Sequence, residues 1–252
     1  MVVQFRSEAS NALPTYAIAG HTIASSYLQD THVDDDNETT NYGGETLLEV
    51  EDSDGTTGSP GGARINALIK INLPERPDPS FGDIAKVVLK LVNYQGFSGT
   101  NTTDETVDAH LLKQDFWTEG GVTWATMDGS IPWATTGGYY DSSTDWGFGS
   151  DGVIAAHLKG DDNPQSEVHE LDLSPICVAH PEGKGKFNWG QTIPLLLRVS
   201  STYDGSGTED KAGKQSYYST ETTVDTGGTA INSKQRPWAE IYFENPPPEP
   251  PF

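Results

Sequence analysis

One cysteine, two methionines and fifteen basic residues are all that this chain of 252 residues holds of those kinds. The lone Cys177 excludes an intrachain disulfide and is expected to be a buried, inert thiol. Basic residues are outnumbered by 37 acidic ones, for a net charge of −22. A surface of that sign repels phosphate, so nucleic acid is excluded as a partner class, and so is docking on an anionic membrane. Long apolar runs are missing too. No stretch approaches the roughly 20 apolar residues of a membrane span. Arg6 and Glu8 interrupt residues 1–20, so no export signal is expected.

Catalytic motifs are equally scarce. The six histidines (His21, His32, His110, His157, His169 and His180) are scattered, and none stands in a His-Glu-x-x-His spacing. There is no Gly-x-Ser-x-Gly elbow and no phosphate loop, and no nucleophile motif surrounds Cys177. Among 37 acidic residues some carboxylate pair is inevitable, so none singles out a glycosidase. The expectation is a protein without catalysis.

What the chain does have is turn formers and aromatics, with 27 Gly, 16 Pro, ten Tyr, eight Phe and six Trp. Short apolar runs separated by Gly, Asn, Asp and Pro predict strands at 26–33, 47–50, 65–71, 85–92, 107–112, 167–176, 191–200 and 237–243. In 65–71 both the odd and the even positions carry apolar side chains, as in a strand covered on both faces. The run from Trp117 to Trp124, with Gly120-Gly121 and Val122-Thr123 between the indoles, reads as a bent edge turning into a strand and as the seam of the fold. The fold class is therefore all-β, a jelly-roll-like antiparallel β-sandwich with long loops. Residues 1–24 are a terminal arm or first strand, 25–244 a single domain, and 245–252 a Pro-rich extended arm. The passages 127–152 and 201–233 read as long polar loops.

Two constellations invite a functional reading. Asp34, Asp36 and Glu38 alternate on an acidic stretch beside Asp30, which places oxygen ligands at a spacing that suits calcium, although neither the central Gly nor the distal Glu of an EF-hand loop is present. The plain alternative is a solvated acidic loop. Asp204 to Asp210 is a weaker candidate of the same kind. Tyr139, Tyr140, Trp146 and Phe148 sit in a polar loop and are candidates for stacking on sugar rings; such loops also bury aromatics for their own stability.

Several pieces of the chain have a familiar order. Asp30-Thr31-His32-Val33-Asp34, Asn41-Tyr42-Gly43 and Leu68-Ile69-Lys70-Ile71 come first. Then follow Ala85-Lys86-Val87-Val88-Leu89, Trp117-Thr118-Glu119 with Val122-Thr123-Trp124, Leu197-Arg198 and Arg236-Pro237-Trp238. This set resembles DNRLRE-type domains, related to disaggregatase-related and alginate-binding carbohydrate modules. The resemblance implies a jelly-roll-like sandwich that binds polysaccharide or serves as a spacer.

Two functions are expected to compete. The first is a structural surface protein of a virion (capsid decoration, head-tail or fibre-associated), an oligomer or lattice component joined to its neighbours by the terminal arms and able to touch glycans. The alternative is an extracellular module for an acidic polysaccharide such as alginate.

Overall fold

The computed structural model describes residues 2–6, 27–52, 64–76, 82–98, 106–113, 116–138, 153–158, 167–179, 187–200, 213–223 and 236–243. Among the described residues eleven strands run in chain order as β1 (Val2–Arg6), β2 (Leu28–Asp34), β3 (Leu47–Asp52), β4 (Arg64–Asn72), β5 (Ile84–Ser98), β6 (Thr106–Leu111), β7 (Val153–Leu158), β8 (Val168–Asp172), β9 (Thr192–Ser200), β10 (Gly213–Tyr218) and β11 (Trp238–Phe243). A short helix, α1 (Ser174–Ala179), follows β8. All the strand pairs are antiparallel. They form one curled sheet in the order β1-β11-β5-β10-β3-β4-β9-β6-β7, with β2 paired to β4 and β8 to β5. Closed over its own apolar face, this is the expected jelly-roll-like sandwich.

Alternation explains the interior. Ala67, Ile69 and Ile71 of β4, Val87, Leu89 and Leu91 of β5, and Ile193, Leu195, Leu197 and Val199 of β9 lie two residues apart and enter one buried cluster. The intervening Leu68 and Leu196 are just as buried, but in a second cluster with Val33, Leu112, Trp117, Val122, Trp124, Met127 and Trp133. Leu112 and residues 117–133 thus cover the other face of β4 and β9, which is why 65–71 carries apolar side chains on both sides.

The structure corrects two expectations and agrees with one alternative of a third. The Trp117–Trp124 run does bury its indoles, but not as a strand: it is a tight loop held by Thr118 N to Met127 O at 3.2 Å, Val122 N to Thr118 O at 2.8 Å and Thr123 N to Thr126 O at 2.8 Å. The 201–233 passage contains β10, whose polar side chains are satisfied internally. Gln215 donates to Asn93, and Tyr217 Oη lies 3.1 Å from His169 Nδ1. Residues 2–6 pair with β11, from Val2 opposite Tyr242 to Arg6 opposite Trp238, and so behave as a first strand. Cys177 falls in α1, but its side chain lies outside the described residues, as does the 245–252 arm.

Candidate functional site

The acidic stretch folds in two directions. Asp30 and Asp34 share β2, and a strand rises about 3.3 Å per residue, so their Cα atoms are roughly 13 Å apart. That is too far for one ion. Asp34 spends its carboxylate locally, accepting from Asp36 N at 2.9 Å, Asn37 Nδ2 at 2.7 Å and Tyr42 Oη at 3.2 Å. This is an aspartate turn that ends the strand. Asp36 and Glu38 are exposed. The four residues expected to gather therefore do not converge.

Asp30 meets other partners instead. It is 1% exposed, and its carboxylate accepts from Thr220 N and Thr220 Oγ1, the former at 3.0 Å to Oδ2. Its own backbone N donates to Glu119 Oε1 at 3.2 Å. Glu221 completes a trio with Asp30 and Glu119, each offering a carboxylate oxygen within 4.8 Å of the other two. Glu221 Oε2 is a fully buried atom with no hydrogen-bond partner. Calcium takes oxygen ligands at about 2.3–2.6 Å, so two oxygens on one ion are at most about 5 Å apart. The trio fits that limit.

Burial pushes the Asp30 carboxyl well up, and the charges of Glu221 and Glu119 push it further. Burial, with Glu221 beside it, raises Glu119 to about 7. Asp30 and Glu119 thus resist ionising, the usual result of crowding like charges in a dry place. A divalent cation or shared protons would neutralise the cluster.

Three distant segments supply these side chains, and local chemistry fixes each one. Asp30 is set by the β2–β4 register, opposite Ile69. Thr220 and Glu221 sit on a turn after β10, where Ser219 N donates to Thr222 Oγ1 at 2.9 Å and Ser219 Oγ to Glu45 O at 2.7 Å. Glu119 is held through its carbonyl, which accepts from Asn41 Nδ2 at 2.7 Å, while Asn41 also donates to Val122 O at 2.7 Å. A Cβ at residue 43 would stand 2.1 Å from Glu119 O, so the Asn41-Tyr42-Gly43 turn tolerates only glycine there. Gly43→Ala is expected to prise this turn off the 119–122 loop, at a cost of about 1–3 kcal/mol. Differential scanning calorimetry reads this as a lower thermal midpoint; an unchanged midpoint rejects the tight contact.

The aromatics proposed for sugar stacking, Tyr139, Tyr140, Trp146 and Phe148, lie outside the described residues. Among the described residues the exposed large apolar side chains are Phe116 at 61%, Ile131 at 48% and Val168 at 38%. Sequence reading passed over Phe116, although it precedes the Trp corner directly. Glu119 stood inside the quoted Trp117-Thr118-Glu119 segment but was not assigned as a ligand. Glu221 carried no local signal at all. Among the described residues no helix is long and apolar enough to cross a membrane.

No curated protein matches the sequence. The family model for Carbohydrate-binding module family 96 matches residues 21–142, a little under half of the chain. This span holds β2 to β6, the Trp corner, Asp30 and Glu119, and leaves out Glu221. The chain contains a domain similar to carbohydrate-binding modules, built on an all-β sandwich.

Proposed function

We propose that this protein is a non-catalytic, extracellular carbohydrate-binding module. The match of residues 21–142 to Carbohydrate-binding module family 96 carries the reading, and the antiparallel sandwich agrees with it. The match favours this alternative over the expected virion component. Kinship with DNRLRE-type and disaggregatase-related domains rests on the quoted segments. Of these, Asp30–Asp34, Asn41–Gly43, Leu68–Ile71, Ala85–Leu89 and Trp117–Trp124 fall inside the matched span. Affinity electrophoresis of the purified chain through gels containing single polysaccharides tests the function. Retardation in at least one gel, relative to a non-binding reference protein, is the expected result; free migration in every gel of a broad panel refutes the module reading.

The closeness of their carboxylates supports a calcium ion held by Asp30, Glu119 and Glu221. The trio would hold it as oxygen ligands, and the charge it brings would neutralise carboxylates that burial otherwise penalises. Its role would be to clasp the β2 strand, the 116–138 loop and the turn after β10.

A further inference from the structure

We propose that residues 41–46 form a bracket that sets the spacing of the three carboxylates, with Asn41 as the positioning residue of the cation site. This rests on the reading of Asp30, Glu119 and Glu221 as calcium ligands.

The three ligands are far apart in sequence: Glu119 lies 89 residues from Asp30, and Thr220, the neighbour of Glu221, lies 190. Like charges at close range push their carriers apart, so the backbones need a hold that does not pass through the carboxylates. Residues 41–46 touch all three carriers. Toward the loop of Glu119, Asn41 Nδ2 donates to Glu119 O and to Val122 O, each at 2.7 Å. Both hydrogens of one amide are thus spent on the two ends of a tight turn. Asn41 Oδ1 accepts from Gly43 N at 3.2 Å, an Asx turn that aims the amide. Toward β2, the Tyr42 ring stacks on His32 with centroids 4.4 Å apart, and Tyr42 Oη donates to Asp34 Oδ2 at 3.2 Å. His32 and Asp34 follow Asp30 at alternate positions and so share its face of the strand. Toward the turn after β10, Glu45 O accepts from Ser219 Oγ at 2.7 Å and Thr46 O from Ser219 N at 3.2 Å. Tyr42 O accepts from Glu45 N at 3.0 Å and closes the bracket on itself.

Asn41 is exposed, so burial does not oblige it to find partners inside the protein. An exposed asparagine loses little by leaving its amide to water; this one joins two carbonyls of the loop that carries a ligand. Glu221 Oε2 is buried with no hydrogen-bond partner, so a cation that reaches it must be met by the other two carboxylates at the right distance. Removing an outer contact of this kind typically lowers metal affinity about 10–100-fold. The ligand backbones relax, and their oxygens lose a common centre.

The test is calorimetric titration of calcium at pH 8 into wild type, Asn41→Ala, Asn41→Ser, Gly43→Ala, the Asn41→Ala/Gly43→Ala double variant and Ile176→Val. Circular dichroism confirms that each protein is folded. Ile176 packs in the core where α1 meets β5 and β7, and its variant shows what a loss of stability alone does. Wild type is expected to bind calcium, and both Asn41 variants to bind it about 10–100-fold more weakly. Ile176→Val, which shares no partner with the site, is expected to stay within about twofold of wild type. The double variant is expected to fall within about twofold of the poorer single variant, since both substitutions release one contact. Asn41 variants that bind like wild type, or losses that multiply in the double variant, overturn the bracket and leave the calcium reading intact. An Ile176→Val loss as large as the Asn41→Ala loss assigns the effect to stability and overturns the bracket as well. A wild type that takes up no calcium overturns both.

Discussion

EDTA at pH 8 should lower the thermal midpoint of this protein by roughly 5–10 °C, and excess calcium should restore it. Free calcium at about 100 times its dissociation constant stabilises a folded site by about 2.7 kcal/mol, and a domain of this size moves about 2–4 °C per kcal/mol. The direction with pH follows from the carboxyl groups. Asp30 and Glu119 both hold protons more tightly when folded than when unfolded. Without metal, the stability they contribute is present below the ordinary carboxylate range near pH 4 and is lost as pH rises through the folded value, about 7 for Glu119. In EDTA the midpoint is therefore expected to fall between pH 5 and pH 8. In calcium that fall is expected to flatten, because the ion replaces the protons. Glu221→Gln separates a metal site from a merely crowded one. Removing one charge should raise the metal-free midpoint at pH 8 and abolish the calcium response. Midpoints that ignore EDTA at both pH values, or a Glu221→Gln protein that still responds to calcium, would sink the clasp.

Trp117→Ala is expected to cost about 3–5 kcal/mol, a large share of the 5–15 kcal/mol that holds a typical domain. Trp117 is fully buried and central to the cluster that seats the 116–138 loop on β4 and β9. Truncation leaves a cavity against Leu68 and Leu196 and strips the indole from under the Lys70 ammonium. Trp117→Phe should recover much of the loss. The indole N–H is buried without an acceptor, so phenylalanine forfeits area and part of the cation–π attraction but no hydrogen bond. Urea unfolding followed by circular dichroism reads both variants. An alanine variant within about 1 kcal/mol of wild type would show that the loop does not depend on its anchor.

Strands with regular alternation were legible in the sequence because burial on one face writes a period of two into hydropathy. β5 is partly of this kind; β4 and β9, covered on both faces, were legible instead as near-continuous apolar runs. β10 was hidden because Gln215 and Tyr217 satisfy burial by side-chain hydrogen bonding rather than by apolarity. Hydropathy does not register a polar group whose partner lies on another strand. β7 (Val153-Ile154-Ala155-Ala156-His157-Leu158) escaped because nothing in it alternates.

The site divides in the same way. Asp30 was picked out for its acidic surroundings, yet its partners come from 89 residues further on at Glu119 and 190 further on at Thr220. The local spacing of Asp34, Asp36 and Glu38 described a turn. Convergence belongs to the tertiary fold, and the quoted Asn41-Tyr42-Gly43 and Trp117-Thr118-Glu119 segments were its one trace, since they pack on each other.

The pairing of β1 with β11 has a mechanical meaning. Val2 stands opposite Tyr242 in an antiparallel ladder, so the first and last described strands enter and leave at the same end, about 4.8 Å apart. A chain fused at both ends and pulled would load that ladder one hydrogen bond at a time, as a zipper is opened, rather than all at once in shear. Under tension β1 should peel away at low force. The module would hang beside a stretched tether as a pendant and add almost nothing to its length until the peel begins.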